Sequence, residues 1–324
     1  MSYTIIRPKD RNEWLKHRES GIGSSEVGTI LGLNPFETPY QLWRRKKGLD
    51  APILNAPLGL LIDQLSKHGG LNAVSLFYRD ETGKEIIKAS AGDWLIVNNE
   101  KTYLRVSPDR TFWIPGRTKS DRNKGILECK TTQMEVDADS LPQHWFCQLQ
   151  YQLGVAELEQ GALAWLTMGR EFGYRDIMFD KEFYDWMIGE VDKFWIDNIV
   201  GGQEPLLQSV EDVLLKNPRH VVGKSVEADD ELIALCSELK TIKEELGGLD
   251  SRKKEIENAL KMAIGDAEAL VAPGASKAKP TILATWKAAK DSTKFNEKKF
   301  AEDKPELYAS YQYQVPGSRR FLLK

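Results

Sequence analysis

Two short segments concentrate groups capable of metal chemistry: Arg105-Val106-Ser107-Pro108-Asp109 and, after a long insert, Gly125-Ile126-Leu127-Glu128-Cys129-Lys130. On an extended strand, side chains two apart share a face, so Glu128 and Lys130 point the same way while Cys129 points into the core. Asp109, on a neighbouring strand, would lie beside them. Two carboxylates with the peptide carbonyl of Cys129 form a hard oxygen cage of the kind that suits Mg²⁺ or Mn²⁺. The adjacent lysine can orient a water as its ammonium, or deprotonate it as the neutral amine, for in-line attack on a phosphodiester, while the cation stabilises the developing charge and the leaving oxygen. The pattern is not specific by itself. Glu-x-Lys also begins at Glu238, Glu297 and Glu302, in charge-rich segments that read as solvated faces. Only Glu128 follows an apolar strand-like run and a turn glycine. An exposed strand end with a Glu/Lys pair is the plain alternative.

The elements around these residues follow from local pattern. Ser24-Ser25-Glu26-Val27-Gly28-Thr29-Ile30-Leu31 reads as a short helix with a serine cap, and Thr38-Pro39 opens another with proline in its first turn. A longer helix is expected from Leu58 to about Phe77, with a break at Gly69-Gly70. Strand-like segments follow at Trp94–Asn98, Tyr103–Val106, Asp109–Ile114 and Gly125–Thr131. Helical spacing covers Leu141–Leu158, two more strands fall at Ala162–Met168 and Phe172–Phe179, and Asp180–Ile199 closes the core as an amphipathic helix. This order predicts a mixed α/β (α+β) class with a central mixed sheet flanked by helices, and it lacks the regular alternation of a barrel or doubly wound fold.

Composition shifts near residue 205. We expect a core at 1–205, a helical arm at 206–270 and a small α+β piece at 271–324. In the arm, Leu232, Leu235, Leu239, Ile242, Leu246, Leu249, Lys253, Ile256, Leu260 and Ala263 recur at steps of three and four, a heptad seam with one polar exception. Its register runs unbroken through Gly247-Gly248, which predicts one helix of about 50 Å from Asp229 to Ile264 at the usual helical rise. Either the stripe packs on the C-terminal piece or it serves a coiled-coil or interaction role.

The 324 residues carry 45 Lys+Arg against 48 Asp+Glu, a net charge of −3 that excludes a strongly basic coating protein but not an enzyme with a locally positive groove. No apolar run approaches the roughly 20 residues of a membrane span. With no apolar leader visible and three widely spaced cysteines (Cys129, Cys147, Cys236), the expectation is a cytoplasmic chain without a disulfide framework. His17, His68, His144 and His220 lack metal-ligand spacing, and no phosphate-cradling Gly-x-x-x-x-Gly-Lys-Ser/Thr loop occurs.

Five motifs appear in order: Arg18-Glu19-Ser20-Gly21-Ile22-Gly23-Ser24-Ser25-Glu26-Val27, Gly59-Leu60-Leu61-Ile62-Asp63, Ser107-Pro108-Asp109, Leu127-Glu128-Cys129-Lys130 and Gln148-Leu149-Gln150-Tyr151-Gln152-Leu153. Together, over about Arg11 to Val200, they resemble the YqaJ viral recombinase family, the lambda-exonuclease-like branch of the PD-(D/E)XK nucleases. Less specifically, Thr285-Trp286-Lys287 and Ser318-Arg319-Arg320-Phe321 resemble the tail of longer members. The resemblance implies a PD-(D/E)XK restriction-endonuclease-like core and a Mg²⁺-dependent exonuclease, Mn²⁺ being a substitute. It would degrade one strand of linear double-stranded DNA from the 5′ end and leave 3′ tails for strand annealing.

By the same resemblance, Asp109 and Glu128 are metal carboxylates, Lys130 is the catalytic lysine and Gln148 completes the site. Because Gln148, Gln150 and Gln152 cannot all face one way, only Gln148 is singled out. Arg18 and Ser25 match positions that hold the DNA 5′-phosphate, and a guanidinium with a hydroxyl suits an anion; an N-cap role is the alternative for Ser25. Glu26 matches an acidic family position whose role is less clear. Asp63 stands where the family carries glutamate, one methylene longer, which leaves its contact with a second metal open.

The basic insert (Arg117, Lys119, Arg122, Lys124) is expected as a hairpin, either touching DNA backbone or solvated. Arg44-Arg45-Lys46-Lys47 is either a phosphate track or a favourable helix end, and Trp145 either stacks near a base or lies in the core. The partners implied are double-stranded DNA ends, a single-strand annealing recombinase and further copies in a ring-shaped homo-oligomer, inside a bacterial host cell as a phage or prophage product. The rival readings are a related endonuclease and a DNA-binding or scaffold protein with a degenerate site.

Overall fold

The computed structural model describes residues 2–50, 73–87, 94–167, 171–272, 281–315 and 317–323. The chain divides into two compact units, Met1–Lys216 and Asn217–Lys324.

In the first unit, the elements run β1 (Tyr3–Ile6), α1 (Arg11–Glu19), β2 (Ile22–Gly23), α2 (Ser24–Ile30), α3 (Pro39–Lys46), α4 (Ala73–Thr82), β3 (Ile86–Ile87), β4 (Leu95–Asn98), β5 (Leu104–Val106), β6 (Arg110–Trp113), β7 (Lys124–Thr132), α5 (Gln143–Ala156), β8 (Gln160–Thr167), β9 (Glu171–Met178), α6 (Lys181–Lys193) and α7 (Val210–Lys216). The main sheet has the order β3-β6-β7-β8-β9, and a smaller one has the order β1-β4-β5-β2. In the main sheet only β7 and β8 are parallel, joined across α5, so the sheet is mixed as expected.

The sheet is covered on both faces. Ile126 belongs to the large hydrophobic cluster with Leu149 and Leu153 of α5, whereas Leu127 joins Val74 and Tyr78 of α4 in a second cluster. This explains why β7 carries an apolar run rather than a clean alternation. Glu128 then falls on the α5 side, and Cys129 is half-buried against the second cluster. At the hairpin, Gly125 pairs with Phe112; a Cβ there would come within 2.2 Å of the Phe112 ring, so the glycine admits the aromatic side chain across the strands.

Several boundaries differ from the sequence reading. The N-cap of α2 is Gly23 rather than a serine; Ser24 and Ser25 are its first helical residues, and the Glu26 carboxylate accepts the Gly23 N–H at 2.8 Å. The expected Asp180–Ile199 helix is α-helical to Lys193 and continues as a π-helical turn, Phe194–Val200. Strand β1 and helix α1 were not legible: α1 is polar apart from Trp14 and Leu15 and is marked mainly by its Asp10 cap. The first unit extends to Lys216 because buried Asp212 on α7 accepts a hydrogen bond from Thr38 at 2.8 Å and from the backbone N–H groups of Gln208 and Ser209. Of the expected Leu58–Phe77 helix, the portion before Ala73 lies outside the described residues, as does Asp63.

The second unit contains α8 (Asp230–Ile264), an antiparallel pair β10 (Ala269–Ala272) and β11 (Thr281–Thr285), and short helices α9 (Glu297–Asp303) and α10 (Pro305–Ser310). Helix α8 starts at an Asp229 cap and passes through Gly247-Gly248 without a break. Among the described residues, packing of its stripe on the C-terminal piece is not found: apart from half-buried Leu239, the leucines and isoleucines of the seam are exposed, from 38% at Leu260 to 67% at Leu249, and Ile264 is its buried residue. No helix among the described residues is long and apolar enough to cross a membrane.

Helices α2 and α5 meet at Gly28, where a Cβ would come within 2.6 Å of the His144 Cβ and 3.1 Å of its Cα. Because backbone lies behind the clash, Gly28→Ala should destabilise the chain by roughly 1–3 kcal/mol, read from urea unfolding; unchanged stability would show that this contact is not tight.

Candidate active site

Pairing register brings the two acids together. Arg110 opens β6 opposite Leu127, so Asp109, one residue earlier, stands level with Glu128. Its Oδ2 accepts the Cys129 N–H at 2.9 Å. The N–H and C=O of a strand residue leave by the same edge, so the Cys129 carbonyl also faces the side where Asp109 lies.

Glu128 is 3% exposed, and donors converge on its carboxylate. Oε1 accepts from Lys130 Nζ at 2.8 Å and from Gln148 Nε2 at 2.5 Å, and Oε2 accepts from Gln152 Nε2 at 2.9 Å. The Gln148 carbonyl oxygen in turn accepts from Lys130 at 2.7 Å. Asp109, Glu128, Lys130 and Gln148 thus come together as the sequence suggested. Gln152 was missed. The signal for it was the i, i+4 spacing from Gln148, which puts both amides on one face of α5. Gln150 points elsewhere, bonding the Met178 carbonyl at 2.8 Å and the Asp180 N–H at 2.9 Å, so it ties α5 to the end of β9.

The donor set suits a hard cation. Asp109 is half-buried by area yet enclosed by neighbouring atoms. Burial, and then the charge of Glu128, push its pKa up to about 7, against Lys130, the Cys129 N–H and Arg110, which act in the opposite sense. Two carboxylates in this relation repel, and a divalent cation held by both would offset the repulsion, with the Cys129 carbonyl as a third oxygen. Among the described residues, no group of three or more His, Cys, Asp and Glu side chains gathers around one point, so the protein side chains offer two carboxylates here.

Gln152 also donates to Ser24 Oγ at 3.1 Å, which links the carboxylate to the start of α2. There Arg18 donates to Ser25 Oγ at 2.6 Å, with its guanidinium 5.2 Å from the Trp14 ring centre. Behind this pair sits Glu26, buried, which accepts from Lys46 Nζ at 2.7 Å, from Arg45 at 3.0 Å and from the Gly23 N–H. Its role is thereby assigned: it holds the Gly21–Ser25 turn against α3. Arg44 pairs with Asp50 and Arg45 also with Glu37, while Lys46 reaches the Gly21 carbonyl and Lys47 that of Ile199. The basic run thus makes internal contacts along its whole length.

Trp145 is a core residue beside Trp165. The basic insert is a hairpin in which Arg117 pairs with Glu159, Lys119 with Glu85 and Lys124 with Asp121. His144, one turn before Gln148, has its pKa lowered by burial and then by Lys130.

Residues 13–159, which contain all of these site groups, match the family model of the YqaJ-like viral recombinase domain. The match covers a little under half of the chain. Over 329 aligned residues the chain is 29% identical to "Uncharacterized protein YqaJ" of Bacillus subtilis (strain 168), covering 97% of this chain and 94% of that relative. Among solved structures it is similar to an alkaline exonuclease (LHK-Exo) from Laribacter hongkongensis, with 14% identity, a TM-score of 0.42, and coverage of 59% of this chain and 93% of that one. The complex of LHK-Exo with dAMP gives 16% identity, a TM-score of 0.43 and the same coverage.

In the first unit, Glu26 has burial raising its pKa, but Lys46, Arg45 and Arg18 outweigh it and hold the carboxyl below its usual range. Its stabilisation is therefore present above the unfolded-state pKa and is lost as pH falls through the lower folded value. Glu26→Gln should cost roughly 3–5 kcal/mol at neutral pH by leaving buried cations without their counter-charge. The gap from wild type should narrow on acidification, as followed by urea unfolding; a gap independent of pH would contradict this role.

Proposed function

We propose that the chain is a Mg²⁺-dependent 5′-to-3′ exonuclease acting on linear double-stranded DNA, with Mn²⁺ able to replace Mg²⁺. It would leave 3′ single-stranded tails for an annealing recombinase, in the cytoplasm of a bacterial cell that carries a phage or prophage. The observation carrying this reading is the convergence of Asp109, Glu128, Lys130 and Gln148 on one end of β7, with the Arg18–Ser25 pair connected to it through Gln152 and Ser24. The viral-recombinase description of the matched family supports the recombination role.

The roles follow from donor counts. A lysine ammonium has three N–H donors. Glu128 and Gln148 take two, which leaves the third for an attacking water or a non-bridging phosphate oxygen. Gln148 holds Lys130 and Glu128 in fixed relation because its amide donates to one and accepts from the other. When bound between Asp109 and Glu128, Mg²⁺ would polarise the scissile phosphate and stabilise the leaving oxygen. Arg18, with donors beyond the one on Ser25, would grip the terminal 5′-phosphate in bidentate fashion. Because Ser24 and Glu128 share Gln152, the phosphate grip and the cutting position are joined through one buried side chain. Such a joint favours cutting at a set distance from an end.

Lys130→Ala and Asp109→Ala should each lower Mg²⁺-dependent digestion of end-labelled linear duplex by about a hundredfold or more, with the far-ultraviolet dichroism unchanged. Full activity in either variant would remove the site. Wild-type protein should release 5′ label first and leave closed circular duplex intact; nicking of the circle would favour an endonuclease, and DNA binding without turnover a scaffold.

Arg18→Ala should slow cutting of 5′-phosphorylated ends more than of 5′-hydroxyl ends, about tenfold or more in the ratio of initial rates. Equal slowing on both ends would rule out the phosphate grip.

A further inference from the structure

Helix α8 presents an apolar seam that the described residues of its own unit leave exposed at every apolar a and d position but Leu239. In heptad terms the a positions are Leu232, Leu239, Leu246, Lys253 and Leu260, and the d positions are Leu235, Ile242, Leu249, Ile256 and Ala263. Leu232, Leu235, Ile242, Leu246, Leu249, Ile256 and Leu260 are all exposed. A strict a/d stripe of this width is the seam of a coiled coil rather than the broader face of a helix lying on a globular core. Two glycines at the outward b and c positions, Gly247 and Gly248, weaken the isolated helix, which increases its need for a partner.

We propose that α8 is a self-association arm that pairs with α8 of a second copy of this chain as an antiparallel two-stranded coiled coil, its two-fold axis level with Gly247–Gly248. The flanking charges select both orientation and register. The g positions include Glu245 and Arg252, and the e positions include Lys243 and Asp250. In an antiparallel pair, g faces g and e faces e. Centred on Gly247–Gly248, the pairing sets Glu245 of each copy beside Arg252 of the other, and Lys243 of each beside Asp250 of the other. All four contacts are attractive.

Every seam position is then used: Leu246 meets Leu249, Leu239 meets Ile256, Leu235 meets Leu260 and Leu232 meets Ala263. Lys253 lies across from Ile242, with its ammonium beside the Glu245 of the second copy.

The other alignments are worse. A parallel pair would set Glu238 beside Lys243 and Arg252 beside Glu257 of the second copy, but at its centre it puts Glu245 beside Asp250, and it stacks Lys253 on Lys253 in the seam. Sliding the antiparallel pair by one heptad sets Glu245 on Glu245 and Lys243 on Lys243, or, in the other direction, Arg252 on Arg252 and Asp250 on Asp250. Juxtaposed like charges reject a pairing while opposite charges select it.

Sedimentation equilibrium of the full-length protein tests the arm, with circular dichroism confirming that helix content is kept. Wild type should associate. Glu245→Arg and Arg252→Glu should each weaken association about tenfold or more, and the double exchange E245R/R252E should restore it to within about threefold of wild type. The double variant also controls for loss of the Arg252–Glu255 pair within the helix, since it shares that loss with Arg252→Glu. Parallel pairing would make Glu245→Arg tighten association, by placing the introduced guanidinium opposite Asp250, and would overturn the proposal. So would a monomeric wild type, or an assembly held by other surfaces and therefore equally strong in all three variants.

Discussion

The buried carboxylate of Glu128 is the constraint around which the first unit is organised. A carboxylate removed from water must be met by donors or carry a heavy desolvation penalty. Here Lys130, Gln148 and Gln152 meet it, one from its own strand and two from the helix that crosses to β8. The position of α5 on the sheet is thus set by polar contacts as well as by the apolar side chains Leu149 and Leu153 beneath it. The same contacts fix the side chains proposed for catalysis, so fold and site share one set of bonds.

A second polar node, Glu26, does for the Gly21–Ser25 turn what the glutamines do for β7. Its partners Lys46 and Arg45 come from α3, and the turn they hold positions Arg18 against Ser25. Gln152 joins the two nodes by bonding both Glu128 and Ser24. Rigidity of this kind suits a site in which one group grips a phosphate and another acts on a neighbouring bond, because misplacement by an ångström is expensive in rate.

The second unit is built on different physics. Its long helix is specified by local capping and periodicity, and most of its seam is left exposed by the described residues of the unit. A helix so exposed on its apolar stripe, with opposite charges arranged symmetrically about its midpoint, has the composition of an association surface rather than of a core element.

Much of the fold was legible in the residues. The strands from β4 to β9 follow short β-prone runs bounded by turn residues, and α8 follows a three-four repeat that ignores its glycines, because both patterns are written in neighbouring residues. The pairing of Glu128 with Lys130 was visible for the same reason. Other features were decided only in three dimensions. That Asp109 stands beside Glu128 depends on the register of β6 on β7, across an insert whose length does not reveal it. That Gln152 serves the site and Gln150 does not depends on how α5 is rotated over the sheet. That Arg45 and Lys46 serve Glu26 depends on a buried charge 19 and 20 residues away in sequence. Local pattern determines which face a residue occupies; only packing decides what that face meets, because the energy of a buried charge depends on partners the chain brings from far along its length.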